Sequence, residues 1–450
     1  MFDKILIANR GEIAVRVIRT CQRMGIHTIA VYSDADADAA HVRLADEAHL
    51  IGEAPVGKSY LNMERILRVA QESGAQAVHP GYGLLSENAR FVEMVEQAGI
   101  VFIGPRSQVM ELMGDKAQAR TVAEKAGVPV VPGSPGPVAD EDAAVAAAEE
   151  LGYPVLVKAA AGGGGIGMKV AKNEKKLRKA YQSCQRRAMS SFGDDTIYIE
   201  RYIQNPRHIE VQVIADTHGN AVHLFERECS VQRRHQKVIE EAPSPFVSKH
   251  EDINLRARMT EAALALVNAT EYTNAGTLEF IVGEDASFYF IEMNTRLQVE
   301  HTVTEEITGV DLVEWQIRVA FGESLPMSQD ALTISGHAIE CRIYAENPAK
   351  KFMPAPGHIG AYTEPSGPGV RVDSGVHADS EVTPYYDPML AKLITHGADR
   401  DEAIARMRGA LDAYQIEELV TNLSMHAELL RDEDFVAGDF HTGWLEARGK

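Results

Sequence analysis

The segment 162–167 reads Gly-Gly-Gly-Gly-Ile-Gly and lies between two apolar runs, Tyr153–Lys158 and a second that begins near Lys169. Glycines let backbone N–H groups approach an anion with no side chain in the way. Both flanking runs read as strands. A Rossmann or Walker loop needs a helix N-terminus behind it, so a strand-to-strand glycine loop argues against both. A mobile β-hairpin flap over a nucleotide fits better, with Lys158 adding a point charge for the phosphates. Taken alone, the run is equally a flexible linker, and the rest of the chain has to decide.

The N-terminal residues point to a parallel sheet. Residues 4–8 are apolar and end at Asn9-Arg10-Gly11-Glu12. A helical pattern follows through Ile13, Val17 and Ile18 to Gly25, and then a strand at 28–32. Strand, glycine turn, helix and strand in that order make a βαβ unit. The alternation continues with a helix near 62–73, a strand at 77–78, a helix near 88–98 and a strand at 100–103. The spacing therefore predicts a doubly wound domain over 1–112.

A second domain is expected over 113–322. It opens with a helix at 115–126 and a Pro/Gly-rich connector at 128–137, and it carries a lid at about 134–204. The alanine-rich run 143–148 reads as an ordinary helix. Strands near 277–282 and 288–293 flank Gly283-Glu284-Asp285-Ala286 as a hairpin, and a helix is expected at 309–321. A polar linker over 323–335 leads to a third domain at 334–445, with a strand at 337–344, short β-runs over 352–395 and a helix at 400–412. The fold class is α/β, α+β overall.

Composition excludes several functions. The 450 residues carry 45 Lys and Arg against 65 Asp and Glu, a formal net charge of -20, which argues against nucleic-acid binding. Cys21, Cys184, Cys229 and Cys341 are scattered, so neither a zinc site nor a disulfide framework is expected. No signal peptide or membrane-spanning run is apparent, and the expectation is a cytoplasmic protein with no membrane partner, a processed organellar enzyme being the lesser alternative. A NAD-linked oxidoreductase is disfavoured because Asn9-Arg10-Gly11-Glu12 offers one glycine where that fingerprint needs three.

The hairpin carries carboxylates inside apolar runs: Glu279 in Thr277–Ile281, and Glu292 with Asn294 in Phe290–Asn294. Burying a carboxylate is costly unless it is paired or binds a metal. Glu292 and Asn294 leave the same face of a strand, and Glu279 can face them across the turn. Three oxygen donors suit Mg²⁺ or Mn²⁺ carrying phosphates. Arg296, Gln298, Glu300 and His301 follow in what reads as an extended segment whose even positions share a face, an anion pocket with a base in it. The basic run Gln232-Arg233-Arg234-His235-Gln236-Lys237 stands out in so acidic a chain. By itself it is more simply a solvated charge run.

Nine motifs taken in order resemble the biotin carboxylase family of ATP-grasp enzymes: IANRGEIA at 7–14, HPGYG at 79–83, SEN at 86–88, MGDK at 113–116, GGGG at 162–165, QRRHQK at 232–237, EMNTR at 292–296, QVEH at 298–301 and ECR at 340–342. The resemblance implies a free-standing biotin carboxylase subunit with an ATP-grasp fold. Lys116, Lys158 and the backbone of Gly164 and Gly165 would hold ATP phosphates. The main chain of Glu200, Arg201, Tyr202 and Ile203 would form an adenine hinge, with His208, Gln232 and His235 around the ribose. Glu279, Glu292 and Asn294 would hold Mg²⁺ or Mn²⁺. Lys237, Arg296, Gln298 and the Val299 backbone would bind bicarbonate. Glu300 would act as general base, Arg342 would stabilise the biotin enolate, and Tyr82 would lie near the biotin ring. The implied partners are a biotin carboxyl carrier protein, carboxyltransferase subunits and a second copy of the chain.

The alternative is another ATP-grasp ligase, such as a carbamoyl-phosphate or purine-pathway enzyme; QVEH with ECR downstream favours the biotin branch. A catalytically dead scaffold is disfavoured by the completeness of the motifs. The sequence departs from the family at Ile166, where many relatives carry Arg or Lys, and at Arg201, which replaces a common Lys. Thr302 and Tyr344 lean weakly towards pyruvate and propionyl- or methylcrotonyl-CoA carboxylases, without deciding the final acceptor.

Overall fold

The computed structural model describes residues 1–159, 168–192 and 195–449. Two compact units emerge. One is built from Met1–Val128, Arg207–Phe280 and the chain from Glu292 onward; the other from Pro129–Pro206 with Ile281–Ile291.

The first unit begins with strands β1 (Lys4–Ile7), β2 (His27–Ser33), β3 (Glu47–Gly52), β4 (Ala77–His79) and β5 (Val101–Phe102), in the spatial order β3-β2-β1-β4-β5. Every neighbouring pair is parallel. Helix α1 (Gly11–Arg23) joins β1 to β2. Ile5, Leu6, Ile7, Ala77 and Val78 are fully buried. A parallel sheet covered on both faces reads as continuous apolar runs, which is why β1 and β4 are legible in the sequence. The edge strand β3, Glu-Ala-His-Leu-Ile-Gly, has no such run and is not expected from it. Nor is the helix Ser107–Gly114. The expected helix after it occupies Lys116–Lys125, capped by the Asp115 carboxylate accepting from the Ala117 and Gln118 N–H groups.

The strand order turns back between β1 and β4, the place where open parallel sheets gather ligands. The two loops leaving these strands meet there. Asn9 Nδ2 donates to the carbonyls of Pro80 (2.6 Å) and Tyr82 (2.8 Å). Gly81 has φ +62°, and a Cβ there would lie 2.9 Å from Ile13 Cγ1 and 3.0 Å from Asn9 Nδ2, so only glycine lets the loops close. Tyr82 is thereby presented at the switch point.

The first unit also contains most of an eight-stranded sheet. Its strands are β9 (Arg207–Ala215), β10 (Ala221–Arg233), β11 (Gln236–Ala242), β12 (Asn274–Val282), β13 (Phe288–Asn294), β14 (His337–Tyr344), β15 (Val370–Ser374) and β16 (Met389–Gly397). Their order is β13-β12-β9-β10-β11-β14-β16-β15, and the pairs from β9 to β15 are antiparallel. One sheet thus runs from the carboxylate hairpin to the C-terminal strands. One face is apolar where Ile339, Cys341, Ile343 and Leu393 pack with Ile404, Met407 and Leu411 of the helix Arg400–Ala413. The opposite face is polar, and helix α2 (His301–Thr308) lies over part of it through Val303 and Ile307, against Ala242, Ala338 and Ile394.

The second unit holds β6 (Val155–Ala159), β7 (Met168–Ala171) and β8 (Ile197–Arg201) as an antiparallel sheet in the order β7-β6-β8. Helices Glu141–Leu151 and Glu174–Phe192 complete it, with Ala144, Val155, Val157, Leu177 and Ile199 in its core. The expected strand, glycine loop, strand order holds at both flanks. The loop itself, with Gly164, Gly165 and Ile166, lies outside the described residues.

Glu241 joins β11 to its neighbours. Its carboxylate accepts from Arg400 Nε at 2.6 Å and Nη2 at 3.0 Å, and it lies 2.6 Å from His337 Nε2. Burial alone would raise this carboxyl, but Arg400 and His337 outweigh burial and hold it at about 2. A depressed carboxylate contributes stability above its unfolded value of about 4.5 and loses it as pH falls through the folded value. Glu241→Gln is expected to lower stability at pH 7 by about 3 kcal/mol. The gap to wild type should close between about pH 4.5 and 2. Chemical denaturation across that range checks it; a gap independent of pH would show that the ion pair is not its source.

Candidate active site

The polar face of the large sheet brings charged groups from five strands together. On β9, His208, Glu210 and Gln212 alternate with buried Ile209, Val211 and Val213, the two-residue period of a sheet with one polar and one apolar face. Arg227 on β10 is fully buried. Its guanidinium donates to Glu210 Oε1 (2.5 Å), Gln212 Oε1 (2.7 Å), Thr304 Oγ1 (3.0 Å) and Thr277 Oγ1 (3.1 Å). It ties β9, β10, β12 and α2 into one frame.

Lys237 reaches this face through a break in register. Between β10 and β11 the pair Val231↔Ile239 is followed by Gln232↔Lys237, so β11 carries one extra residue. Such a bulge re-aims the side chains beyond it. Lys237 therefore shares a face with Glu240, three positions away. Its Nζ donates to Glu210 Oε2 at 2.6 Å, Glu279 Oε1 at 2.9 Å and Glu300 Oε1 at 2.6 Å. Burial would lower the Lys237 ammonium, but three carboxylates outweigh it and raise it well above its ordinary value. The same contacts hold Glu279 below the carboxylate range, although burial opposes this. His208 Nε2 sits 3.3 Å from Glu279 Oε2; burial opposes its charging, yet Glu279 brings it up to about 9.

Glu300 links this cluster to a second one. Its Oε2 accepts from Arg342 Nη2 at 2.9 Å, and Arg342 also pairs with Glu240 Oε1 at 2.5 Å. Burial pushes Glu300 up, but Lys237 and Arg342 bring it below its ordinary value. Glu240 and Glu340 go the other way. Each is wholly buried, and desolvation outweighs Arg342 for the one and Lys392 and Arg342 for the other. Cys229 Sγ lies 3.9 Å from Glu300 Oε1.

The residues 296–301 are not extended as expected. The chain bends at Thr295 and Arg296, turns at Val299 and Glu300, and enters α2 at His301. Even positions converge because the chain folds back on itself, not because they share a strand face. Arg296 Nη1 donates to Gln298 Oε1 at 3.0 Å, Arg296 Nη2 to Asn294 Oδ1 at 3.0 Å, and Gln298 Nε2 to Glu279 Oε1 at 3.3 Å. Glu87, from the loop after Tyr82, accepts from Arg296 Nε at 2.9 Å and from the Thr295 N–H at 3.1 Å. His301 is fully buried and is not an exposed base of the pocket.

Other expected residues lie around this centre or apart from it. Glu292 pairs with Lys116 (3.2 Å). Gln232 is buried, with Nε2 donating to the Cys229 carbonyl at 2.8 Å. His235 is exposed at the β10–β11 turn, where Arg234 and His235 both have positive φ, 50° and 67°. In the second unit, Lys158 Nζ is 3.5 Å from Glu200 Oε1. There the N–H groups of Arg201 and Tyr202 donate to the carbonyls of Pro132 (2.8 Å) and Pro154 (3.2 Å), just before Ile203.

Glu279, Glu292 and the Asn294 amide make a hard-oxygen donor set of the kind Mg²⁺ or Mn²⁺ takes. Asn294 Oδ1 accepts from Arg296 Nη2 at 3.0 Å and keeps a second lone pair for an ion. Glu279 is held ionised by neighbours that a competing cation can replace. The residues fit such an ion.

Family models cover nearly the whole chain: "Biotin carboxylase, N-terminal domain" over residues 1–110, "Carbamoyl-phosphate synthase L chain, ATP binding domain" over 115–328 and "Biotin carboxylase C-terminal domain" over 340–447. Biotin carboxylase 2 of Bacillus subtilis is 56% identical over 446 residues, covering 99% of each chain. The chain belongs to the biotin carboxylase family. The carbamoyl-phosphate model describes the ATP-binding middle alone, while the flanking models and the full-length identity fall on the biotin carboxylase side. Biotin carboxylase of Halalkalibacterium halodurans is 54% identical over 445 residues, covering 99% of this chain and 97% of its own. The biotin carboxylase domain dimer of Hydrogenobacter thermophilus 2-oxoglutarate carboxylase was solved with MgADP, ADP and bicarbonate. It superposes with a TM-score of 0.90 at 48% identity, covering 100% of this chain and 98% of that one. The fold is that of ATP-grasp biotin carboxylases, and the family's enzymes are ATP-dependent ligases.

Sequence reasoning missed Glu210, Arg227, Glu240 and Glu340 as parts of this centre. A signal was present in the alternation His208-x-Glu210-x-Gln212 and Glu340-x-Arg342.

Proposed function

We propose that this chain is a biotin carboxylase: it uses ATP and bicarbonate to carboxylate biotin on a carrier protein, the first half-reaction of an acyl-CoA or 2-oxo acid carboxylase. The observation that carries this reading is the bridge Lys237–Glu300–Arg342, which sets a buried carboxylate base between two cations. Anion-binding groups, Arg296 and Gln298, lie beside it.

In this reading Lys237, Arg296, Gln298 and the Val299 N–H hold bicarbonate, and Glu300 takes its proton. A bicarbonate oxygen attacks the γ-phosphorus of ATP, the bond to the ADP oxygen breaks, and carboxyphosphate and ADP result. Lys116, Lys158, the glycine loop and the Glu200–Ile203 main chain position the nucleotide, with His208, Gln232 and His235 at the ribose. Glu279, Glu292 and Asn294 would hold Mg²⁺ or Mn²⁺, which when bound neutralises phosphate charge. Carboxyphosphate breaks down to CO₂ and phosphate. The phosphate removes the N1′ proton of biotin, and N1′ bonds to the CO₂ carbon. Arg342 faces the oxygen on which negative charge develops, and Tyr82 borders the ring. Water would hydrolyse carboxyphosphate, which gives a closing lid its purpose.

The domain division proposed is 1–112, 113–322 and 334–445, with 134–204 as the lid. We propose further that the chain acts in the cytoplasm, as a homodimer with a biotin carboxyl carrier protein and carboxyltransferase subunits. The test is ADP release. It is expected to require bicarbonate and to rise when free biotin or a biotinylated carrier is added. Release that ignores biotin but answers to an amine or amino acid would move the protein to another ATP-grasp ligase class.

A further inference from the structure

The turn Gln298-Val299-Glu300 is held in one backbone orientation from behind. His301 Nδ1 lies 2.8 Å from the Gln298 carbonyl. A carbonyl only accepts, so Nδ1 carries the proton and donates. Lys392 Nζ donates to the Val299 carbonyl at 2.9 Å. In a trans peptide the C=O and the following N–H point opposite ways. Holding the Gln298 carbonyl therefore aims the Val299 N–H, and holding the Val299 carbonyl aims the Glu300 N–H. Neither N–H has a backbone or side-chain acceptor among the described residues.

The two holders sit where a purely packing role is hard to credit. Both are fully buried. Burying an ammonium is expensive unless its bonds are satisfied; besides the Val299 carbonyl, Lys392 has Glu12 Oε2 at 3.4 Å and the Tyr82 ring at 5.7 Å, and the buried Glu340 and Asp373 carboxyls also feel its charge. Burial brings Glu12 up to about 7, against Lys392. His301 Nε2 has no hydrogen-bond partner among the described residues, with Glu305 Oε2 at 3.9 Å. Burial and the nearby Lys392, Arg16 and Arg371 keep the ring neutral, the state in which Nδ1 donates and Nε2 does not.

We propose that His301 and Lys392 are positioning residues for the first chemical step: they fix the peptide planes of 298–300 so that the Val299 and Glu300 N–H groups face the bicarbonate held by Arg296 and Gln298. This rests on the reading of that turn as the bicarbonate cradle. The residues touch the turn and not the substrate, so their loss acts on bicarbonate through the backbone. Tyr82 beside Lys392 couples the same device to the switch-point loop.

The test compares bicarbonate KM, ATP KM and melting temperature of the full chain across a small variant set. Lys392→Met is made together with Glu12→Gln, so that Glu12 is not stranded, while Glu340 and Asp373 keep Arg342 and Arg371, and is compared with Glu12→Gln alone. His301→Leu removes the Nδ1 donor, while His301→Asn keeps an N–H at nearly the same place. Gln298→Ala tests the cradle itself. Losing a bond of this kind is expected to raise bicarbonate KM by about tenfold in the Lys392 and His301→Leu variants, with ATP KM within about twofold. His301→Asn is expected to recover most of the loss. If Gln298→Ala raises bicarbonate KM and the Lys392 and His301 variants do not, positioning is overturned while the cradle stands. If Gln298→Ala also leaves it unchanged, the cradle reading falls and the positioning role with it. A lower melting temperature with proportional loss in all parameters, and no difference between His301→Asn and His301→Leu, would mark the two residues as structural only and overturn the proposal.

Discussion

Replacing Arg342 by alanine is expected to lower biotin carboxylation by about two to three orders of magnitude while ATP affinity stays within about threefold. The guanidinium lies at the centre of three buried carboxylates, with Glu300 at 2.9 Å, Glu240 at 2.5 Å and Glu340 along the same strand face. Its ion pairs are with Glu240 and Glu300, and Lys116 and Lys158, the residues assigned to phosphates, pair with Glu292 and Glu200 instead. Nucleotide binding therefore has no direct reason to change. A cation fixed before the reaction begins needs no reorganisation when charge develops on the biotin oxygen, which is why its loss falls on the rate. The substitution also removes the main counter-charge of Glu240. Burial already pushes that carboxyl up to about 8, against Arg342, so it responds by keeping its proton and the fold survives the loss. Arg342→Lys retains the charge without the planar fork and should recover a fraction of the rate. Carboxylation that survives Arg342→Ala unchanged would remove this residue from the chemistry.

The strands flanking the glycine run, the carboxylate hairpin and the parallel sheet are legible in the sequence because each is a local pattern. The glycine run sits between apolar strands, the acids sit inside apolar strands, and β1 and β4 are continuous apolar runs. Other features depend on pairing, which one strand does not reveal. Lys237 joins Glu240 and Glu300 through one extra residue in β11, a register event with no local signature. Glu210 and Arg227 look like charges to be solvated, yet each satisfies the other inside the sheet. Adjacency groups His301 with Arg296 and Glu300. It starts a helix, and a helix start turns its side chain away from the pocket. Spacing makes the metal trio three facing donors. It does not reveal that Glu279 also meets Lys237 and His208, that Glu292 meets Lys116, or that Gln298 and Arg296 link Glu279 to Asn294. The family motifs locate the right residues but say nothing of these alliances, because a motif records identity and not register.

Lys237→Met is expected to reduce bicarbonate-dependent ADP release by about a thousandfold or more, and to change its pH dependence in a defined direction. One ammonium holds three carboxylates, at 2.6, 2.9 and 2.6 Å. Removing it leaves each with a second partner: Arg227 for Glu210, His208 for Glu279, Arg342 for Glu300. The cluster is therefore weakened but not stranded, and the variant can be purified and assayed. Glu300 now sits below its ordinary value, with Lys237 as its largest favourable neighbour against burial. Without Lys237 that carboxyl rises, so a base that is ionised at neutral pH starts to hold a proton there. The acid limb of the residual activity should move to higher pH. Stability follows a different rule. The Lys237 ammonium is raised well above 10.5, so its contribution is fully present below that value and is lost only as pH rises through the folded one. The melting-temperature gap between Lys237→Met and wild type should accordingly persist through neutral and mildly alkaline pH, and narrow only in strong alkali. An acid limb that does not move would show that Lys237 does not tune Glu300. A gap that closes near neutral pH would show that the ammonium is not held by the three carboxylates as described.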